Sequence, residues 1–239
     1  MKVHVLAFAT VADALGAQRR LDFADGATPR LSAVRDRLRA EAPQVFERTD
    51  LAWAIDGALV ATGQDPLLAD GCEVAILPPV SGGAPELERA PEPAPFVEPT
   101  SRAALVDGPI DIELVRSAVA ARGCGATVLF VGTVRDTHNG RPVDSLTYTA
   151  YVAMALNALE TLVDDLEAND NVRAAIVHRL GEVAAGDISV VLAIASAHRE
   201  AAFRVGHDAL ERLKREVPIW KREHFADGDA VWREVESLT

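Results

Sequence analysis

The chain is 239 residues long, room for one large domain or two ordinary ones, and its 49% hydrophobic and 25% charged residues are the balance of a globular protein. A formal net charge of -12 argues against nucleic acid or an anionic membrane as the main partner, because both demand a basic face. No apolar run approaches the roughly 18 residues needed to cross a bilayer, and the N-terminus runs directly into an alternating apolar pattern, so a cytoplasmic location without a cleavable signal is expected.

Taken in order, residues 3 to 8 and 20 to 24 have strand-like composition and are joined around Gly16, which reads as an opening hairpin. Thr28 then offers an N-cap hydroxyl and Pro29 suits the first helical position. Leu31, Val34 and Leu38 recur at helical spacing until Pro43 stops the run. Residues 51 to 55 and 58 to 60 flank Asp56-Gly57, a two-residue hairpin signal, and residues 73 to 77 form a last strand. Two strands, a helix and three strands in about eighty residues suit a ubiquitin-like β-grasp sheet with one helix across it. The last strand runs straight into Pro78-Pro79-Val80-Ser81-Gly82-Gly83. A Gly-Gly pair is most simply a turn or the start of a linker. It can equally be a thin tail that threads a narrow tunnel.

From Ala84 the composition shifts to Pro85, Pro91, Pro93, Pro95 and Pro99 among glutamates, a segment that cannot bury a core and reads as an extended linker. The expected division is 1–83, a linker over 84–108, and a second domain over 109–239. In that domain Ile112, Val115 and Val119 mark a helix, and 126 to 134 reads as a buried strand leading into a polar loop. A strand over 146 to 151 and a helix over 154 to 166 follow, then strands over 174 to 177 and 188 to 195. A long helix over 199 to 216 should end at Val217-Pro218, because a residue before proline is pushed out of helical geometry. Asp227-Gly228 sits between two closing strands. The fold class is α+β throughout, the second domain being two-layered.

Cys72 and Cys124 stand far apart with no CxxC spacing, so inert thiols are expected, with no metal and no cofactor. Of 24 basic side chains only Lys2, Lys214 and Lys221 are lysines, and two of these fall in one basic segment with Arg199, Arg204, Arg212, Arg215 and Arg222. Arginine stays protonated, whereas a lysine in a desolvated or positive pocket can act as base or nucleophile. Helix-dipole complementation is the alternative for Lys214 and Arg215. His198-Arg199 sits where a strand passes into a helix, a place that favours an anion such as phosphate.

Leu77-Pro78-Pro79-Val80-Ser81-Gly82-Gly83 resembles the end of the small, sulfur-carrying subunit of molybdopterin synthase. Phe130-Val131-Gly132-Thr133-Val134-Arg135, His178-Arg179-Leu180-Gly181, Ser196-Ala197-His198-Arg199 and Leu213-Lys214 followed by Pro218-Ile219-Trp220-Lys221-Arg222-Glu223 resemble the large subunit. The resemblance implies an enzyme of molybdenum cofactor biosynthesis that moves sulfur from a C-terminal glycine thiocarboxylate to cyclic pyranopterin monophosphate. It implies Gly83 as the sulfur-bearing residue and Lys214 and Lys221 as catalytic. Phe130, Thr133, Val134, Arg135, His198, Arg199, Arg222 and Glu223, with both lysines, would hold the pterin and its phosphate. A homodimer through the C-terminal domain and an adenylylating, sulfurating partner enzyme are implied as well. One departure matters: Gly83 is followed by Ala84, and an amide cannot be adenylylated as a carboxylate can. Cleavage after Gly83 in the exposed linker is therefore expected. A self-inhibited or non-catalytic carrier and pterin-binding scaffold is the alternative.

Overall fold

The computed structural model describes residues 1–24, 26–47, 51–79 and 102–233. The Gly82-Gly83 pair and the proline-rich segment lie outside the described residues.

The first unit runs β1 (Lys2–Ala7), α1 (Ala9–Leu15), β2 (Gln18–Asp22), α2 (Leu31–Glu41), α3 (Pro43–Phe46), β3 (Ala52–Ile55), β4 (Ala58–Leu59) and β5 (Glu73–Leu77). Its sheet has the order β2-β1-β5-β3-β4, with β1 and β5 parallel at the centre and every other pair antiparallel. Asp56 and Gly57 both have positive φ, the type I′ geometry that the Asp-Gly pair predicts. Side chains alternate cleanly across this sheet. Val3, Val5, Val74, Ile76 and Trp53 face α2 and α3 through Leu31, Val34, Leu38 and Val45. Ala54, Ala75 and Leu77 face the other way, onto the second unit.

Two expectations for this unit are corrected. β1 and β2 pair as a hairpin would, Lys2 opposite Asp22 and Leu6 opposite Gln18, but a helix joins them rather than a turn. Three alanines favour that helix and Val11 anchors it in the core. The second correction concerns α2, which is capped at Arg30, not at Thr28. The Asp65 carboxylate accepts from the Ser32 N–H at 2.7 Å and its hydroxyl at 2.9 Å, so the first turn is satisfied from 33 residues away. Arg30 is meanwhile held extended in an antiparallel bridge to Leu67.

The second unit runs β6 (Ala103–Val106), α4 (Ile112–Ala118), β7 (Ala126–Thr133), β8 (Thr137–His138), β9 (Arg141–Ala150), α5 (Val152–Asp170), β10 (Arg173–Arg179), β11 (Gly181–Ala184), β12 (Ile188–Ser196), α6 (Arg199–Glu216), β13 (Ile219–Phe225) and β14 (Ala230–Arg233). A four-stranded sheet, β6-β10-β12-β7, is covered on one face by α5 and α6 and on the other by α4. The middles of both central strands are accordingly apolar and buried, Ala174 to Val177 in β10 and Val190 to Ala195 in β12. A second sheet, β11-β9-β13-β14, carries β8 on β9. α6 ends as the proline predicts, with Val217 extended at φ -94° and ψ 121°.

Residues 103–106, inside the stretch assigned to the linker, form β6 parallel to β10. Four residues leave too short a pattern to read, and their partner lies some seventy positions away. β7 is not the buried strand expected: it is an edge strand with Leu129, Phe130 and Val131 exposed. An apolar run does not distinguish a strand covered on both faces from one at a bare edge.

Candidate functional site

The continuation of β5 defines the site. Pro78 and Pro79 are buried, and the Pro78 carbonyl accepts a hydrogen bond from the Trp220 indole N–H at 3.1 Å. Phe8, between β1 and α1, stacks on Trp220 at 4.9 Å and lies tilted against Tyr151 at 5.5 Å. The Tyr151 hydroxyl donates to Glu73 and takes a backbone hydrogen bond from Gly57. Burial, and then the Glu73 carboxylate, push that hydroxyl well above the ordinary phenol range. At the rim, Asp13 accepts from the Trp232 indole N–H at 2.9 Å and lies 3.5 Å from the Arg222 guanidinium. The small side chains of Ala54 and Ala75 let this aromatic group approach the sheet closely.

β13 has two faces with different duties. Trp220 and Arg222 point to the first unit. Lys221, Glu223 and Phe225 point the other way, since Phe225 joins Val134, Val143, Leu146 and Val183 in a buried cluster. Lys221 lies opposite Tyr148 on β9 and Arg233 on β14. Glu223, 4% exposed, accepts from Arg233 Nε at 2.7 Å and lies 3.5 Å from His138 Nδ1. Tyr148 meets the His178 ring edge-on at 4.9 Å, and burial raises its hydroxyl pKa. Burial holds the His178 imidazole down to about 4, and its Nδ1–H donates to the Arg179 carbonyl, so it is neutral near pH 7.

The residues singled out from sequence therefore separate. Lys214, in the last turn of α6, pairs with Glu211 at 3.1 Å, and Lys221 follows just beyond the Val217-Pro218 corner. Phe130 and Thr133 lie on β7 and Arg135 is exposed just past it. Val134 is core rather than pocket lining. Arg222 faces the first unit at Asp13, and the Glu223 carboxylate is paired with Arg233 inside the fold. His198 and Arg199 open α6, exposed, with His198 at the N-cap. At 1.5 Å per residue they stand about 22 Å from Lys214 at the far end of the same helix. Gly83 lies outside the described residues.

Sequence reasoning missed Tyr148, Arg233, Tyr151, Trp232 and Asp13, all of which depend on cross-strand register or on how the two units meet. Cys72 is buried, which raises its thiol pKa, and Cys124 is half-buried. Among the described residues no group of His, Cys, Asp or Glu side chains is placed to hold a metal ion, and no helix is long and apolar enough to cross a membrane.

A ubiquitin-like sheet whose last strand runs on into the face of a lysine-bearing α+β unit defines a carrier joined to its receiver. The ThiS family model matches residues 5–83 and the MoaE protein model residues 105–216. The chain is 42% identical over 125 residues to the molybdopterin synthase catalytic subunit of Pyricularia oryzae, covering 52% of this chain and 69% of that one. It is 42% identical over 134 residues to the catalytic subunit of Culex quinquefasciatus, covering 54% and 85%. The crystal structure of molybdopterin synthase from Staphylococcus aureus superposes with a TM-score of 0.53 at 36% identity, covering 56% of this chain and 97% of that one. The chain belongs to the molybdopterin synthase family of enzymes, with a ThiS-family unit ahead of a catalytic-subunit unit in one polypeptide.

Proposed function

We propose that this chain is a molybdopterin synthase supplying both its own sulfur carrier and its own catalytic unit. Gly83, once a free terminus, is adenylylated and converted to a thiocarboxylate by a partner enzyme. The catalytic unit then moves that sulfur to cyclic pyranopterin monophosphate, twice per dithiolene. The observation that carries this reading is the grip of Trp220 on the Pro78 carbonyl, one residue from Lys221. From Pro78, five further residues reach at most about 17 Å, enough to bring Gly83 to that neighbourhood. Lys214 and Lys221 serve by attack on the thiocarboxylate or by proton transfer as sulfur leaves it. Phe130, Thr133, Arg135, His198 and Arg199 hold the pterin and its phosphate.

The proposed division is a carrier over 1–83, a linker that gives way to β6 at Ala103, and a catalytic unit from there on. The amide after Gly83 is cut in the linker before activation. The 22 Å between the two ends of α6 supports a homodimer of catalytic units, in which His198 and Arg199 of one copy complete a site with Lys214 and Lys221 of another. The uncovered apolar edge of β7 is a suitable seam.

The test supplies the full chain, cut after Gly83 and thiocarboxylated, with cyclic pyranopterin monophosphate. Formation of dithiolene, with loss of the thiocarboxylate sulfur from the carrier, is expected. Pterin binding without sulfur transfer would overturn the reading and leave a scaffold.

A further inference from the structure

The polar keys of the interface are unequal. Trp220 grips a backbone carbonyl, which any β-grasp tail with the same course would offer. Asp13 is different, because its carboxylate is a side chain that answers two groups at once: the Trp232 indole N–H at 2.9 Å and the Arg222 guanidinium at 3.5 Å. Arg222 itself lies over the Trp232 ring at 5.7 Å, so the three groups form one cluster. Asp13 sits on α1, the helix that interrupts the β1–β2 connection. The turn into that helix is set by backbone geometry: Ala9, its first residue and a non-glycine at φ +49°, bends the chain directly after Phe8. Phe8 stacks on Trp220, and α1 packs beside β13 with Asp13 reaching Trp232 on β14.

We infer that Asp13 is the specificity-determining residue of the carrier: through it the catalytic unit accepts its own β-grasp unit and refuses a Gly-Gly carrier lacking an acid there. This rests on the reading of the first unit as sulfur carrier to the second. It also reassigns Arg222 from pterin phosphate to carrier recognition. The physical reason is asymmetric. A half-exposed carboxylate on a guanidinium adds little affinity. A cation in its place would face Arg222 directly and leave the Trp232 N–H without an acceptor, and such repulsion is how interfaces reject wrong partners.

The full chain carries its own reporters. Its three tryptophans divide usefully: Trp53 lies in the core of the first unit, whereas the indole N–H groups of Trp220 and Trp232 cross the interface. Hydrogen exchange of the Trp220 indole reads docking without touching Asp13, because its acceptor is Pro78. In Asp13→Ala we expect a roughly threefold loss of Trp220 protection, and in Asp13→Arg about tenfold or more, with Trp53 unchanged. Asp13→Arg combined with Arg222→Asp should recover most of the loss. Asp36→Arg, the same charge change on exposed α2 across the sheet, should have no effect. Unchanged Trp220 protection in Asp13→Arg, or a double variant no better than the single ones, would overturn the inference. Trp53 deprotection would expose misfolding, in which case Asp13→Asn, which keeps the Trp232 bond and drops the charge, decides by the same Trp220 signal. Sulfur transfer measured alongside separates the two readings: docking that obeys Asp13 in a wild-type chain without transfer refutes the proposed function and not the recognition role.

Discussion

Replacing Trp220 by Phe is the most informative single perturbation of the interface. Trp220 is among the largest fully enclosed side chains, and its N–H is the donor given to the buried Pro78 carbonyl. Phe keeps an aromatic face for Phe8 but orphans that carbonyl, a loss of about 1–3 kcal/mol. The smaller ring leaves a void that adds on the order of 1 kcal/mol. Together, about 2–4 kcal/mol corresponds to roughly 30- to 1000-fold in the docking equilibrium. An uncut linker hides much of this, because a short tether holds the units at an effective concentration near the millimolar range. A protease site placed in the linker removes that protection. At micromolar concentration the cut wild-type protein should run as one species in gel filtration, and cut Trp220→Phe as two. Cut Trp220→Phe protein that stays together as tightly as wild type would refute the role given to the Trp220–Pro78 bond.

Three further outcomes follow from the same structure. Lys214→Arg and Lys221→Arg keep the charge but lose the titratable amine; each should lower single-turnover sulfur transfer by about 10² or more, and full activity in both would reduce the lysines to anion holders. His178 titrates about 4 when folded against 6.5 when exposed, so the unfolded chain takes up its proton first as pH falls. Stability should therefore drop between pH 6.5 and 4, by about 3 kcal/mol from this group, and urea midpoints of His178→Gln should show a correspondingly shallower fall. In Gly125→Ala the new Cβ would come within 2.8 Å of the Ala197 carbonyl, next to His198, whereas at Gly123 nothing lies within 4 Å. Gly125→Ala should cost about 1–3 kcal/mol in denaturant unfolding and Gly123→Ala much less.

Elements whose signals are local were legible in the sequence. The Val217-Pro218 stop, the Asp56-Gly57 turn and the apolar stripe of α5 at Ala155, Leu159, Leu162 and Leu166 depend on neighbours a few residues away. What depends on distant partners was not. Asp65 caps α2 from across the unit, β6 exists because β10 accepts it, and β7 is exposed because, among the described residues, no strand lies beyond it. The basic motifs suggested a site but could not say which of its residues share a face. Lys221 and Arg222 are adjacent in sequence and serve opposite faces of β13, a consequence of the strand's period of two that becomes informative only once each face has a neighbour.

The most direct measurement is the intact mass of the chain purified from its own host while it makes the cofactor. Processing at Gly83 predicts two fragments, the smaller ending at that residue and carrying the mass change of one oxygen replaced by sulfur. A single uncut chain under those conditions would contradict it, since Gly83 would then have no carboxylate to activate.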